Sequence, residues 1–208
     1  MLVVDDHRAF AEAIGLTING QPDMECVGVA TSAEEALLEL DRKLPDVILL
    51  DLGLPGKSGI EALVEIKRRQ PAMRVLLISG AVSPEALVEA ANEGADGYVH
   101  KEASLDAVII ALRKSDDTVV ADDRTLTTLS RAALPTPPDE FGLTARELEV
   151  LVLLADGVAT KLIARQLGIT LNTCRGYVRS ILQKLDAHSQ LSAVVKAAQF
   201  GLLPRLRA

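Results

Sequence analysis

The sequence predicts an α/β domain with a doubly wound, five-stranded parallel sheet, followed by an all-α domain of four helices. First, five short apolar runs alternate with helix-length segments over the first 114 residues. Second, the charge changes sign along the chain. Residues 1–140 contain 13 Lys and Arg against 25 Asp and Glu, whereas residues 141–208 contain 9 against 4.

The five apolar runs have the length and composition of buried parallel strands. They read LVV at 2–4, ECVGV at 25–29, DVILL at 46–50, RVLLI at 74–78 and GYVH at 97–100. A helix-length segment follows each run, which gives five βα units. In a doubly wound sheet, functional side chains follow the carboxyl ends of the strands.

The helices between the strands have recognisable starts and one recognisable end. Ser32 precedes AEEALLELDRK, Ser83 and Pro84 precede EALVEAANEG, and Ser104 precedes LDAVIIALRK. A serine hydroxyl can accept a hydrogen bond from a free amide in the first turn of a helix. Gly94 is the predicted end of the second of these helices. We expect the first domain to span residues 1–114.

The periodic pattern fades from residue 115, so residues 115–140 are predicted to form a linker. TLTTLSRAA within it could form a short helix. Three prolines at 135, 137 and 138 favour an extended chain after that segment.

The second domain, residues 141–208, is predicted to be helical. The expected helices span 144–156, 160–167, 172–186 and 189–203, and Gly157 and Gly168 end the first two. The stretch KLIARQLGITLNTCRGYVRSIL has the form of a helix-turn-helix. Because this domain is basic, its expected partner is a polyanion such as nucleic acid.

Composition indicates a globular protein, with 49% apolar, 25% charged and only 2% aromatic residues. Its core is therefore expected to be aliphatic. Cys26 and Cys174 have neither metal-binding nor CxxC spacing, which favours a reducing compartment. No apolar run approaches the roughly 18 residues of a membrane span, so we expect a soluble, cytoplasmic protein.

Polar residues that can support phosphoryl chemistry follow four of the predicted strands. Asp5 and Asp6 follow the first strand, Asp51 the third, Ser79 the fourth and Lys101 the fifth. If the first and third strands are neighbours, the three carboxylates converge and need a cation, for which Mg²⁺ is suited. Asp51 could then be the nucleophile of an aspartyl phosphate, with Lys101 neutralising phosphoryl oxygens and Ser79 donating a hydrogen bond.

Each of these residues has an ordinary explanation when taken alone. A single acidic residue after a strand is usually a solvated loop residue or a helix cap. The occurrence of all five groups at successive strand ends argues against that explanation. His7, His100 and His188 are expected to be surface residues rather than metal ligands.

The sequence resembles two known domain families, in the expected order. LVVDDH, DLGLPGKSG, LLISGA and GYVHK are similar to the receiver domain of bacterial two-component response regulators. LTARELEVLVLLADGVATKLIARQLGI is similar to the LuxR-type helix-turn-helix. Together they resemble the NarL/FixJ group, which implies a flavodoxin-like receiver with strand order 2-1-3-4-5.

The resemblance also implies roles for individual residues. Asp51 would be the phosphoacceptor for a sensor histidine kinase, and Asp5, Asp6, Asp51 and the backbone carbonyl of Gly53 would hold Mg²⁺. Ser79 and Tyr98 would be the paired switch residues, and Pro55 and Gly59 would shape the loop after the acceptor. The alternative for Tyr98 is an ordinary half-buried strand aromatic. Gly53 and Ala81 occupy the positions that tune phosphoryl lifetime and lack polar side chains, which favours a long-lived phosphoryl group.

The helix from residue 172 is predicted to be the recognition helix, whose first turns meet base edges in the major groove of double-stranded DNA. Arg175 and Arg179 share one face, where they can read guanine or grip phosphate, and the alternative is a solvated basic face. Thr173 and Lys161 are candidates for phosphate contact. Gly176 and Tyr177 stand where the family commonly carries Val or Thr and then His. The predicted core of this region contains Leu162, Ile163, Leu167, Ile169, Cys174, Val178, Ile181, Leu182 and Leu185.

The last helix, SQLSAVVKAAQFGLL, is strongly apolar. In the family that it resembles, this helix forms a homodimer contact, and the alternative is that it caps its own domain. The whole sequence favours a transcription factor controlled by phosphorylation, rather than an enzyme. A phosphorylation-independent DNA-binding regulator, with the receiver as a dimerisation module, is the alternative. A phosphatase would be expected to have a second acid two residues after Asp51, where Gly53 stands.

Overall fold

The computed structural model describes residues 1–80, 83–113 and 141–203. The chain forms two compact units. The first comprises Met1–Val82 and Glu93–Arg113, and the second comprises Ser83–Asn92 and Lys114–Ala208. The short helix predicted between residues 115 and 140 lies outside the described residues, as does Ala81. No helix in the described parts of the chain is long and apolar enough to cross a membrane.

A parallel sheet of five strands forms the centre of the first unit: β1 (Leu2–Val4), β2 (Gly28–Ala30), β3 (Val47–Asp51), β4 (Arg74–Ser79) and β5 (Gly97–His100). Their order in the sheet is the predicted β2-β1-β3-β4-β5. Because every neighbouring pair is parallel, the carboxyl ends of all five strands lie at one edge. The second strand begins three residues later than predicted, since its partner β1 is short and Leu2 pairs with Gly28.

The predicted serine helix starts are confirmed. The hydroxyl oxygens of Ser32, Ser83 and Ser104 each accept a hydrogen bond from an amide three residues later, at 3.1 to 3.2 Å. The described residues up to 113 form the helices α1 (Arg8–Asn19), α2 (Ala33–Lys43), α3 (Gly59–Arg69), α4 (Pro84–Asn92) and α5 (Leu105–Arg113). Of these five helices, α4 belongs to the second unit and the others belong to the first.

The core of the first unit is aliphatic, as the composition predicts. The middle strands β3 and β4 supply its centre, where Ile48, Leu50 and Leu77 are fully buried. Burial of each such side chain contributes about 1.5 to 3 kcal/mol. This packing fixes the strand ends from which the polar residues project.

The second unit contains the four predicted C-terminal helices in addition to α4. Gly157 and Gly168 follow the first two with φ of +67° and +65°, a left-handed conformation that favours glycine and ends a helix. The last helix ends at Gln199 rather than at residue 203. The four helices are α6 (Ala145–Ala155), α7 (Thr160–Gln166), α8 (Leu171–Lys184) and α9 (Gln190–Gln199).

The prediction that Leu162 belongs to the core of this unit is wrong. Leu162 is 49% exposed, because α7 buries Ile163 and Ala164 and each helical step of about 100° turns the preceding residue away. Cys174 is fully buried, as expected of a small core residue, and burial raises the pKa of its thiol. Ile163, Val178, Ile181 and Leu185 are buried, whereas Leu167, Ile169 and Leu182 are partly exposed.

Gly59 allows the start of α3 to lie against the loop after β3. A Cβ at this position would lie 2.2 Å from the carbonyl oxygen of Asp51 and 2.6 Å from the Cα of Leu52. The substitution Gly59→Ala is therefore expected to destabilise the first unit by about 3 kcal/mol or more, because backbone atoms must move. Urea unfolding followed by circular dichroism measures the effect.

Gly20→Ala is the matched control in the same unit. A Cβ there would meet its nearest neighbour, the Thr17 carbonyl oxygen, at an ordinary 3.4 Å. This variant is expected to stay within about 1 kcal/mol of the native chain. Equal losses in the two variants would contradict the close approach at Gly59.

Candidate functional site

Two buried carboxylates lie together at the carboxyl edge of the sheet. Asp51 is the last residue of β3 and Asp5 directly follows β1, and they are 2% and 0% exposed. The two strands are neighbours with Val4 opposite Leu50, so the next residue on each strand lies side by side. Ligand atoms of Asp5, Asp6, His7 and Asp51 all lie within 4.8 Å of one another. The structure therefore brings the three predicted carboxylates together.

Lys101 supplies a positive charge to this pocket. Its Nζ lies 2.8 Å from Oδ2 of Asp5 and 2.8 Å from Oδ2 of Asp51. The same atom lies 5.4 Å from the ring centroid of Phe10, within the range of a cation–π contact. Partial burial opposes the charge, but the two carboxylates outweigh it and raise the pKa of Lys101. The lysine is therefore held as an ammonium against the carboxylates of Asp5 and Asp51.

Backbone amides orient the two buried acids. The amide of Gly53 donates to Oδ1 of Asp51 at 3.0 Å, and the amide of His7 donates to Oδ1 of Asp5 at 2.9 Å. His7 is an exposed residue at the start of α1, as expected, although its Nδ1 also lies 2.8 Å from Oδ1 of Asp6. Asp51 is thus fixed by one amide and by a hydrogen bond from the ammonium of Lys101. Asp5 is fixed by one amide, and its Oδ2 forms an ion pair with Lys101 but has no hydrogen-bond partner among the described residues.

The donor set of this pocket fits a hard divalent cation. Asp5 and Asp51 are buried side by side with Asp6 next to them, and like charges this close favour a bound cation. Carboxylate oxygens are ligands that Mg²⁺ accepts readily while it keeps several waters. The residues present therefore fit Mg²⁺.

Ser79 and Tyr98 meet beside this pocket. Ser79 ends β4 and is 5% exposed, whereas Tyr98 in β5 is fully buried rather than half-buried. The Tyr98 hydroxyl donates to the carbonyl oxygen of Ser79 at 3.2 Å, and the amide of Lys101 donates to the same oxygen at 2.9 Å. A single carbonyl thus joins the ends of β4 and β5.

In the second unit, α8 has one buried and one exposed face. The Thr170 side chain caps the start of α8 by accepting a hydrogen bond from the amide of Thr173. Cys174, Val178 and Ile181 face the core. A Cβ at Gly176 would meet no atom within 4 Å, so this position faces open space. The exposed face contains Asn172, Thr173, Arg175, Gly176, Arg179 and Gln183.

The remaining predicted DNA-contact residues lie nearby in the same unit. Tyr177 is partly buried at the edge of the exposed face of α8, and Lys161 is exposed at the start of α7. The hydroxyls of Thr173 and Thr170 lie 2.8 Å apart. The exposed basic face predicted from the sequence is therefore present, with a gap in its side chains at Gly176.

Sequence reasoning missed a buried carboxylate that contacts α8. Glu147, in the first turn of α6, is 4% exposed and forms a capping box with Thr144. Its Oε1 accepts from the Ser180 hydroxyl at 2.5 Å, and its Oε2 accepts from Lys184 Nζ at 2.7 Å. The T-x-x-E spacing of Thr144 and Glu147 is a readable capping signal. Its connection to residues more than thirty positions later is not.

The partners of Glu147 keep its side chain ionised. Burial alone opposes ionisation, but the hydrogen bonds from Lys184, Ser180 and Thr144 outweigh it and lower the pKa of Glu147 to about 2. An ionised acceptor makes stronger hydrogen bonds than a neutral one.

Comparison with known families identifies the class of protein. Residues 1–113 match the response regulator receiver domain, and residues 142–197 match the bacterial regulatory proteins of the luxR family. The chain therefore belongs to the response regulator receiver family. It is a response regulator that joins a receiver domain to a LuxR-type DNA-binding domain, a combination that serves transcription regulation.

Individual relatives support this assignment along nearly the whole chain. The nitrate/nitrite response regulator protein NarL of Escherichia coli K12 is 32% identical over 200 residues, covering 94% of this chain and 93% of NarL. The response regulator protein VraR of Staphylococcus aureus Mu3 is 31% identical over 205 residues, covering 98% of each chain. A LuxR-family response regulator structure from Aurantimonas sp. SI85-9A1 is 32% identical, with a TM-score of 0.51 over 53% of this chain and 79% of that chain.

Glu147→Gln should lower the free energy of unfolding at neutral pH and have little effect near pH 2. The folded-state pKa of Glu147 is about 2, below its usual 4.5, so the ionised carboxylate stabilises the fold above about pH 4.5. That stabilisation disappears as the pH falls from about 4.5 towards 2. Urea unfolding of both chains at several pH values gives the difference.

Glu149→Gln is the control, because Glu149 lies on the same helix with a half-exposed side chain. Its substitution should change the free energy of unfolding by less than about 1 kcal/mol at any pH. A pH-independent difference for Glu147→Gln would contradict the role of its charge.

Proposed function

We propose that a sensor histidine kinase phosphorylates Asp51, and that this controls dimerisation and sequence-specific DNA binding by a cytoplasmic transcription factor. The observation that carries the proposal is the buried pocket in which Asp51 lies against Asp5 and Lys101. The family adds the expected phosphodonor, and the LuxR-type domain adds the expected DNA partner.

The residues of the pocket suit phosphoryl transfer to Asp51. An Asp51 oxygen bonds to phosphorus while the bond from phosphorus to the kinase histidine breaks. Lys101 lies where it can neutralise phosphoryl oxygens, and the Gly53 amide holds the acceptor carboxylate. Asp5, Asp6, Asp51 and the carbonyl oxygen of Gly53 would hold Mg²⁺. When bound, Mg²⁺ would add further charge neutralisation.

Ser79 and Tyr98 are the proposed switch residues. A phosphoryl group on Asp51 would attract the Ser79 hydroxyl as a hydrogen-bond donor. The Ser79 carbonyl accepts hydrogen bonds from the Tyr98 hydroxyl and the Lys101 amide, so movement of Ser79 would alter both hydrogen bonds. Phosphorylation would then shift the population between two arrangements of β4 and β5.

The phosphoryl group is proposed to be long-lived. A Cβ at position 53 would lie 3.5 Å from Oδ2 of Asp51, so a polar side chain there could orient an attacking water. Glycine at position 53 and alanine at position 81 provide no such group. Hydrolysis would depend on water that no side chain at these two positions orients.

DNA reading is proposed for the exposed face of α8. Arg175 and Arg179 would contact bases or phosphates, and Thr173 and Lys161 would contact phosphates. Gly176 would let the helix approach the groove closely, while Tyr177 would pack against the backbone or hydrogen-bond to it. The open space around Gly176 supports this assignment.

A homodimer through α9 would place two α8 helices one DNA turn apart on an inverted repeat. Seven of the ten residues of α9 are buried within this chain. That burial favours the alternative expectation, in which α9 packs within its own unit. A dimer contact through α9 would require some of these residues to become exposed.

Incubation with Mg²⁺ and acetyl phosphate should add one phosphoryl group, visible by intact mass. Asp51→Asn should abolish the adduct, because it removes the proposed nucleophile. Asp46→Asn makes the same chemical change at an exposed residue just before β3 and should leave the adduct intact.

The same samples test the two linked proposals. Absence of any adduct would favour the phosphorylation-independent regulator, and repeated turnover of a phosphoester that depends on Asp51 would indicate a phosphatase. Decay of the adduct within seconds would contradict a long-lived phosphoryl group.

Gly176→Val should change which DNA sequences are bound, because its side chain would project from the exposed face of α8. For two duplexes that differ at one base pair, we expect the ratio of their affinities to differ by about 10-fold between the valine variant and the native chain, which is typical of one altered base contact. Selection from a randomised duplex pool, performed with both chains, measures it. Gly176→Ala should stabilise the helix by about 1 kcal/mol with a smaller change of preference. Identical selected sequences for the valine variant would contradict the assignment.

A further inference from the structure

We propose that Glu147 is a positioning residue for DNA reading, whose carboxylate fixes the rotation of α8 against α6. This inference rests on the proposed reading of DNA by α8 and deepens it. Glu147 is 4% exposed and would not touch DNA itself. It would act through Ser180 and Lys184, which belong to the recognition helix.

The contact lies on a flank of α8 rather than on its buried face. With 100° per residue, the buried residues Cys174, Val178 and Ile181 cluster on one side of the helix. Ser180 and Lys184 are four residues apart and share a row between that side and the exposed face. A hydrogen-bonded contact on the flank opposes rotation about the helix axis, which non-directional apolar packing opposes less.

The hydrogen bonds of Glu147 with Ser180 and Lys184 are close to the residues that would read DNA. Ser180 lies one helical turn after Gly176, so these two positions are neighbours on the helix surface, and Ser180 directly follows Arg179 along the chain. A rotation of α8 would therefore move the Arg179 guanidinium and the bare position at Gly176 together. Base recognition requires side chains to be held within about 10 to 20° of the productive geometry.

The Glu147 side chain is itself fixed at the start of α6. The second carboxylate oxygen of Glu147 also accepts the Thr144 amide at 2.7 Å, so the side chain cannot move without breaking the capping box. Lys184 donates in addition to the carbonyl oxygen of Gly142 at 2.7 Å. The end of α8 is thereby tied both to the first turn of α6 and to the segment before it.

The two carboxylate oxygens contact different partners on α8. Oε1 receives the Ser180 hydroxyl and Oε2 receives the Lys184 ammonium. Two contacts one turn apart fix the rotation of α8 against α6, whereas a single contact would leave α8 free to rotate about that contact. Ser180→Ala removes one of them and leaves the charge pair, and Glu147→Gln removes the charge while keeping the side-chain length.

The test compares binding to a specific and a non-specific duplex by the full chain after incubation with Mg²⁺ and acetyl phosphate, because DNA binding is proposed to depend on phosphorylation of Asp51. The specific duplex is the one that the native chain enriches from a randomised pool, and poly(dI-dC) is the non-specific one. Ser180→Ala and Glu147→Gln should weaken binding to the enriched duplex by about 5- to 10-fold. Binding to poly(dI-dC) should change by less than about 2-fold, because no residue facing phosphate is altered. For Ser180→Ala the dependence on salt should also be unchanged.

Leu154→Val is the control for a general loss of stability, because it alters a buried residue of α6 and none of these hydrogen bonds. It should leave the ratio of the two affinities unchanged, with all measurements made well below the unfolding transition. Unaltered ratios for Ser180→Ala and Glu147→Gln, or an equal change in Leu154→Val, would overturn the positioning role. If the native chain enriches no sequence, the proposed DNA reading fails and this inference fails with it.

Discussion

Asp5 and Asp51 place two negative charges side by side at the carboxyl edge of the sheet, where neither residue is more than 2% exposed. Such burial is costly unless each charge is compensated. The ammonium of Lys101, at 2.8 Å from both, and the amides of Gly53 and His7 supply that compensation. The ends of β1, β3 and β5 must therefore stay in register. Around them lie the close contact of Gly59 with the backbone after β3 and the hydrogen bond from the Tyr98 hydroxyl to the Ser79 carbonyl.

The second unit uses a buried carboxylate for a different purpose. Glu147 has three hydrogen-bond partners, which lower its pKa to about 2 even though burial opposes the charge. In the first unit, carboxylate oxygens of Asp5 and Asp51 lie next to the ammonium of Lys101, an arrangement that supports the proposed phosphoryl transfer. In the second, the oxygens are fully engaged by Thr144, Ser180 and Lys184 and suit the fixing of one helix against another.

Much of the fold could be predicted because local signals agreed with the tertiary structure. The short apolar runs, the serines at 32, 83 and 104 and the glycines at 157 and 168 act within a few residues, so their consequences are visible in the sequence. The pocket was predictable because parallel strands bring their carboxyl ends to one edge. Leu162 was misassigned because a short helix carries little periodicity, and an apolar residue beside Ile163 can face either way.

The sequence by itself determined the order of elements, the two domain families, the basic C-terminal region and the identities of the pocket residues. These follow from local patterns of polarity and from motifs only a few residues long. Only the tertiary structure decided that Tyr98 is fully buried, that Lys101 touches both acids and that Glu147 grips α8. Contacts between residues 33 and 37 positions apart, such as those of Glu147 with Ser180 and Lys184, depend on how helices pack, and no local pattern encodes that.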